Sequence, residues 1–221
     1  MSDESSWEED ETPDGFGPFY VGDTPAVPFE LDLTEDPFVV ALGLDNIYLK
    51  AGVELAGPLP SAILGSFKVV GGRLSIIVPE DIFGVGGIYQ LRITLSEFGP
   101  RKRLDPIEIV VEDEASGWHT LASARSQWAD AVQLSHAQLW TFLDAARTAV
   151  TAFAPPSSLR VRPSASLRTA QLLHARALWN ATSSDNNGTT ADGFGGIVTV
   201  RPLDGTVKAL IRPKRGIPGV A

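Results

Sequence analysis

Apolar residues recur at every second position through much of the first half of the chain and at helical spacing in the second, with the change near residue 114. Val27, Phe29, Leu31 and Leu33 alternate with Pro28, Glu30 and Asp32, and Leu74, Ile76 and Val78 alternate again. Tyr89, Leu91, Ile93 and Leu95 oppose Ile88, Gln90, Arg92 and Thr94, and Ile107, Ile109 and Val111 close the series. Half-buried strands have this period. Turn signals fall between them at Gly43, Gly52, Gly57-Pro58, Gly71-Gly72, Gly84 to Gly87 and Gly99-Pro100. About six or seven short strands are therefore expected over residues 26–113, folded as an antiparallel sandwich.

From residue 114 the period is helical. A short helix is expected from Thr120 to about Ala129. Ser135 is a candidate N-cap for a longer one that puts Leu139, Phe142, Leu143, Ala146, Val150 and Phe153 on one face, and Pro155-Pro156 stops it. A third helix, about Ser166 to Asn180, carries Leu167, Ala170, Leu173, Ala177 and Leu178, widened by Leu172 and Trp179. A polar, glycine-rich loop from Ser183 to Gly196 leads to a short strand, Ile197 to Arg201. Asp204 then caps a turn or two of helix over Gly205 to Ile211, and the remaining Pro- and Gly-rich residues read as an extended arm. The expected class is α+β and multidomain. An acidic arm over residues 1–25 precedes the sandwich, a small helical bundle with its loop covers 114–196, and a strand, short helix and basic arm cover 197–221.

Charge is sorted along this plan. Residues 1–49 hold thirteen Asp or Glu and no Lys or Arg, while residues 201–221 hold five basic residues and one acid. Polarity of this kind steers association and suits a subunit that plugs one end into a partner. A net charge of −9 argues against a duplex-binding surface, because counterion release needs clustered cations. No apolar run reaches the roughly 18 residues of a membrane span, and MSDESSWEEDE lacks the features of a signal peptide, so a soluble chain is expected.

Catalytic and metal chemistry find little material. Cysteine is absent, and no G-x-S-x-G, H-E-x-x-H or G-x-x-x-x-G-K-[ST] pattern occurs. GVGG at 84–87 and GFGG at 193–196 do not join a strand to a helix and read as loops. His136 and His174 lie on expected helices, and a histidine pair alone fits packing better than ligation. Glu8-Glu9-Asp10-Glu11 lacks the Gly-bearing loop of a calcium site. Glu80-Asp81 and Glu112-Asp113-Glu114 read as solvated strand ends, and Arg101-Lys102-Arg103 as a solvated hairpin tip. No enzyme activity and no cofactor are expected.

Two resemblances add to this reading. GIYQLRITL at 87–95, followed by PIEIVVED at 106–113, reads like the last two strands of an immunoglobulin-like domain, with Tyr89 at the place of a corner tyrosine. From Trp118 onward, SQWADA, DAARTAVTAFAPP, LRTAQLLHARALWNAT, a glycine-rich loop and VTVRPLDGTVKALIRPKRGIPGV follow in an order that resembles the head-to-tail connector, or adaptor, proteins of long-tailed phages infecting actinobacteria. The resemblance implies a structural protein of the virion neck. Subunits form a ring, thought of as twelve-fold, under the portal protein and above a tail-side neck or stopper protein, and DNA passes through the lumen without specific binding. It implies portal docking by Lys208, Arg212, Pro213, Lys214 and Arg215, and strand addition to a partner by Val198, Val200 and Leu203. Trp128, Trp140, Phe142, Leu173 and Trp179 would be bundle core or subunit interface. Residues 1–113 exceed the minimal connector and would project from the ring. The competing reading is an accessory module whose sandwich binds a host glycan or protein through aromatics near its strand tips, with Phe83 and Phe98 as candidates.

Overall fold

A computed structural model describes residues 17–25, 28–156, 162–185 and 202–212. The chain is mixed α and β. Its strands are β1 (Phe19–Tyr20), β2 (Phe29–Asp32), β3 (Lys50–Ala56), β4 (Ala62–Val70), β5 (Arg73–Ile76), β6 (Gly87–Ser96), β7 (Arg101–Arg103) and β8 (Ile107–Glu112). They pair in the order β1-β8-β6-β3-β4-β5-β2, with β7 on β6. Every pairing is antiparallel except β1 on β8, which is parallel.

This large sheet curls around a single core. β4 gives residues up to Lys68 to β3 and then Val69 and Val70 to β5, so one strand turns the corner between two halves. At the ends of the path, the rings of Phe19 on β1 and Phe29 on β2 come within 5.6 Å. Val53, Leu74, Ile76, Leu91, Ile93, Leu95 and Ile109 fill the interior. The alternation read from the sequence is what makes this possible, since it puts every second side chain of β3 and β6 inward. Gly71 and Gly72 both take positive φ, 57° and 74°, as the tight β4–β5 hairpin requires.

The structure departs from the period-two reading in several places. Phe19 and Tyr20, assigned to the acidic arm, pair with Val111 and Glu112 as a strand. Pro37–Leu42 is a helix, α1, where only strands were expected. Asp36 caps it, accepting from the N–H groups of Phe38 and Val39 at 2.9 and 3.3 Å, and Val39 enters the core. Lys102 is no solvated tip residue: its ammonium lies 2.7 Å from Asp36 and ties β7 to that cap. Burial of Asp36 opposes ionisation, but Lys102 and the two N–H groups together hold its carboxyl below the usual range. Phe83 is fully buried, edge-on to Tyr89, so it is no exposed tip aromatic. Expected Val27 lies outside the described residues.

The remaining helices are α2 (Leu121–Gln127), α3 (His136–Phe153), α4 (Ala165–Asp185) and α5 (Gly205–Ile211), with 3-10 turns at Glu114–Ser116 and Ala129–Gln133. Reciprocal capping boxes begin two of them. Thr120 and Ser123 exchange bonds at the start of α2, and Ser135 and Gln138 do so at the start of α3. The third helix runs past the expected Asn180 to Asp185. α3 and α4 pack along each other, and α3 also lies on β6 and β8. Val110 and Ile88, on the outer face of the sheet, join Leu121, Leu139, Leu143, Leu172 and Leu178 in a second core. β8 is therefore buried on both faces at its end, which is why its alternation fades after Ile109.

Candidate functional site

The base of the C-terminal arm is the best-defined part of the region expected to dock. Asp204 caps α5 by accepting from the Thr206 N–H, and that bond lowers its carboxyl pKa. Val207 and Ile211, four residues apart, bury one side of α5 against Val150, Ala154, Leu167 and Ala170 of the α3–α4 pair. Lys208 is exposed, and so is Arg212, whose guanidinium lies 4.6 Å over the Phe153 ring. Leu203 stands in the extended stretch before α5 and packs on the same cluster. Pro213, Lys214, Arg215, Val198 and Val200 lie outside the described residues.

Four of the five expected core or interface residues come together. Trp128 is 1% exposed, and Trp179 meets it edge-on at 5.5 Å between ring centroids. The Arg176 guanidinium sits 5.9 Å from the Trp128 ring, while Phe142 and Trp140 complete the cluster. Leu173 does not join them: it is 36% exposed, on a part of α4 that these aromatics leave uncovered.

A polar seam between the sheet and the helices was not legible beforehand. Gln171 on α4 is buried; its Oε1 accepts from the His119 N–H at 3.1 Å and its Nε2 donates to the Leu143 carbonyl at 3.0 Å. His119 is buried too, with Nδ1 3.0 Å from the Ser123 hydroxyl; desolvation, helped by the charge of Arg168, lowers its pKa. Arg147 lies 5.8 Å from the Trp118 ring. The space among these groups is about 10 Å³, room for one water. The nearest sequence signal is the polar pair His119-Thr120 at a helix start.

Glu112 corrects the reading of its cluster as solvated. It is 1% exposed; Oε1 accepts from the Leu121 N–H, whereas Oε2 is buried without a hydrogen bond. Desolvation raises its pKa against the opposing Leu121 N–H, and Glu114 adds to the rise. A carboxyl with a raised folded pKa contributes stability that is full below the unfolded pKa and is lost as pH rises through the folded one. Glu112→Gln should therefore melt close to the native chain below about pH 4 and at a higher temperature than it at neutral pH. Parallel melting curves across that range test this, and an unchanged difference at all pH values would contradict it.

His174 is buried, and desolvation lowers its pKa. Among the described residues no group of three or more His, Cys, Asp or Glu side chains converges as for a metal ion. Nor is any described helix long and apolar enough to cross a membrane. At the sheet tip, Phe98 is 84% and Tyr48 55% exposed, with ring centroids 4.9 Å apart. An Asn46–Glu97 bond of 2.8 Å joins the loops that carry them. No known family model, curated protein or solved structure matches the chain.

Proposed function

We propose that this chain is a head-to-tail connector subunit of a phage virion. In this reading it forms a ring, twelve-fold by resemblance, between the portal protein and a tail-side neck or stopper protein. The observation that carries the reading is the seating of α5. Two apolar anchors, Val207 and Ile211, hold its base on α3 and α4, while Lys208 and Arg212 face outward where the basic arm departs. An arm launched from a fixed base loses less entropy on docking than one without an anchor. The exposed Leu173 supports a neighbouring subunit on α4, and the net negative charge suits a lumen through which DNA slides.

The front half reads best as an immunoglobulin-like sandwich set on this connector unit. Two features support it. The first strand lies parallel on the last while the rest pair antiparallel, and the Tyr89 hydroxyl donates to the Val85 carbonyl four residues upstream at 2.9 Å, as a corner tyrosine does.

The test is co-assembly with the cognate portal, read by sedimentation and electron microscopy. Rings or ring-competent oligomers are expected, and replacing Arg212, Lys214 and Arg215 together with serine should weaken portal binding by about tenfold or more. Unchanged binding removes the arm from the mechanism. A chain that stays monomeric with and without portal refutes the connector reading.

The exposed Tyr48–Phe98 pair favours a second reading, in which the sheet tip binds a host glycan or protein. Binding to host surface extracts that Phe98→Ala abolishes, in a chain that forms no ring, would select it.

A further inference from the structure

One face of the sheet is divided between two environments. Its Ile88 and Val110 end lies under the helices, while the other end is open and basic. Register places Lys68, Lys50, Ser96 and Arg101 in one row across β4, β3, β6 and β7. Ser66, Gly52, Thr94 and Arg103 form the next, and Ile63, Glu54 and Arg92 the third. Lys50, Lys68, Arg92, Arg101 and Arg103 are all exposed. Against these five cations the open end of the face carries, among the described residues, the carboxylates of Glu54 and, toward β8, Glu108, while Glu112 lies farther along β8 under the helices.

Lys50 and Lys68 stand directly opposite each other, an arrangement that costs stability unless an anion lies between or above them. Among the described residues no carboxylate comes within ion-pair distance of Lys50, Lys68, Arg92, Arg101 or Arg103. Between the second and third rows, Gly52 and Gly65 leave a recess of about 220 Å³ flanked by Arg92, Arg103 and Ile63. Ile63 is 86% exposed there. Glu54 also lines it, between Ile63 and Arg92, so the walls hold two guanidiniums against one carboxylate. A concave surface with this cationic excess and one bare aliphatic side chain fits an acidic peptide that carries an aromatic residue.

We propose that the occupant is the chain's own N-terminal segment, residues 1–16. It contains seven Asp or Glu and no Lys or Arg, with Trp7 between Glu4 and Glu8. Its indole suits the recess, against Ile63 and under a guanidinium, while the flanking carboxylates meet the two arginines and the lysine row. Reach is sufficient. β1 pairs beside Val111, level with Gly87 of β6, so the recess at Arg92, Thr94 and Gly52 lies two to three strands across and about five to seven residues along, about 25 Å away. Sixteen residues span up to about 50 Å. The tether gives an effective concentration of about millimolar, which favours this peptide over a free polyanion of similar charge. The inference is independent of the connector reading and survives its failure.

The absence of cysteine makes the test direct, since Ser5→Cys offers a single thiol for a nitroxide spin label. In the isotope-labelled full chain at low salt, the amide signals of Gly52, Ser66, Thr94 and Arg103 should be lost to paramagnetic broadening. They should return at about 1 M salt, where the screening length falls to about 3 Å. Those of Gly52, Ser66 and Thr94 should also return when Arg92, Arg101 and Arg103 are all replaced by threonine, with signals away from this face unchanged. Broadening that is absent or spread evenly over the surface overturns the proposal. So does broadening seen only when spin-labelled chains are mixed with isotope-labelled ones, which would place the segment on another copy. Shifts at this face only on adding an oligonucleotide would overturn it in favour of nucleic acid.

Discussion

Trp128→Ala should cost about 3–5 kcal/mol of unfolding free energy, the range for deleting a large aromatic from a packed core. The indole is 1% exposed and forms the junction of α2 with the following 3-10 turn. It touches the edge of Trp179 and lies under Arg176, in the cluster that also holds Val110 of the sheet. Its removal opens a cavity at the meeting point of three elements, and Ala124 and Ala131 nearby are too small to fill it. Trp128→Phe keeps a ring at the site and should lose only about half as much. Urea unfolding followed by circular dichroism checks both; a loss below about 1 kcal/mol for the alanine variant would mean that the site collapses without penalty.

Gln171→Leu ranks second, at about 2–4 kcal/mol. Leucine preserves most of the side-chain volume but removes both polar contacts. The His119 N–H is then buried with no acceptor, which carries most of the cost, whereas the Leu143 carbonyl loses only its added partner. Since His119 precedes the Thr120 cap, the variant should also loosen the start of α2. Faster hydrogen exchange at the His119 and Leu121 amides, with the β6 amides unchanged, separates this local effect from global unfolding. Equal acceleration throughout would assign the loss to the core as a whole.

What could be read from the chain beforehand followed local rules. The inward residues of β6 and the caps at Ser135 and Asp204 depend on period and on neighbours within four positions, and each was found where expected. α1 had its own local sign, Asp36-Pro37 before an apolar turn and Gly43 after it, but Phe38 and Val39 also fit the surrounding strand pattern. Glu112, Lys102 and Phe83 were misread for another reason. Each is defined by a group far along the chain or on another layer: the helices that cover Glu112, Asp36 beside Lys102, and the curled sheet that encloses Phe83. Gln171 belongs with them, because nothing near it in sequence marks it as the clamp between His119 and Leu143. The candidate docking base was legible in its helix and its charges, while its apolar seat on α3 and α4 emerged only from the folded chain.

The parallel pairing of β1 with β8 also has a mechanical side. Phe19 and Tyr20 lie beside Val111 and Glu112, and Val21 adds a further backbone bond to Glu112 at 2.9 Å. Because the two strands run the same way, tension between the N-terminal end of β1 and the helices beyond β8 pulls them past each other. The bonds of the pair are then loaded side by side in shear, where an antiparallel pair pulled from its open end would unzip bond by bond. Force passed from the leading residues to the helices would thus meet the sheet in its stiffer direction.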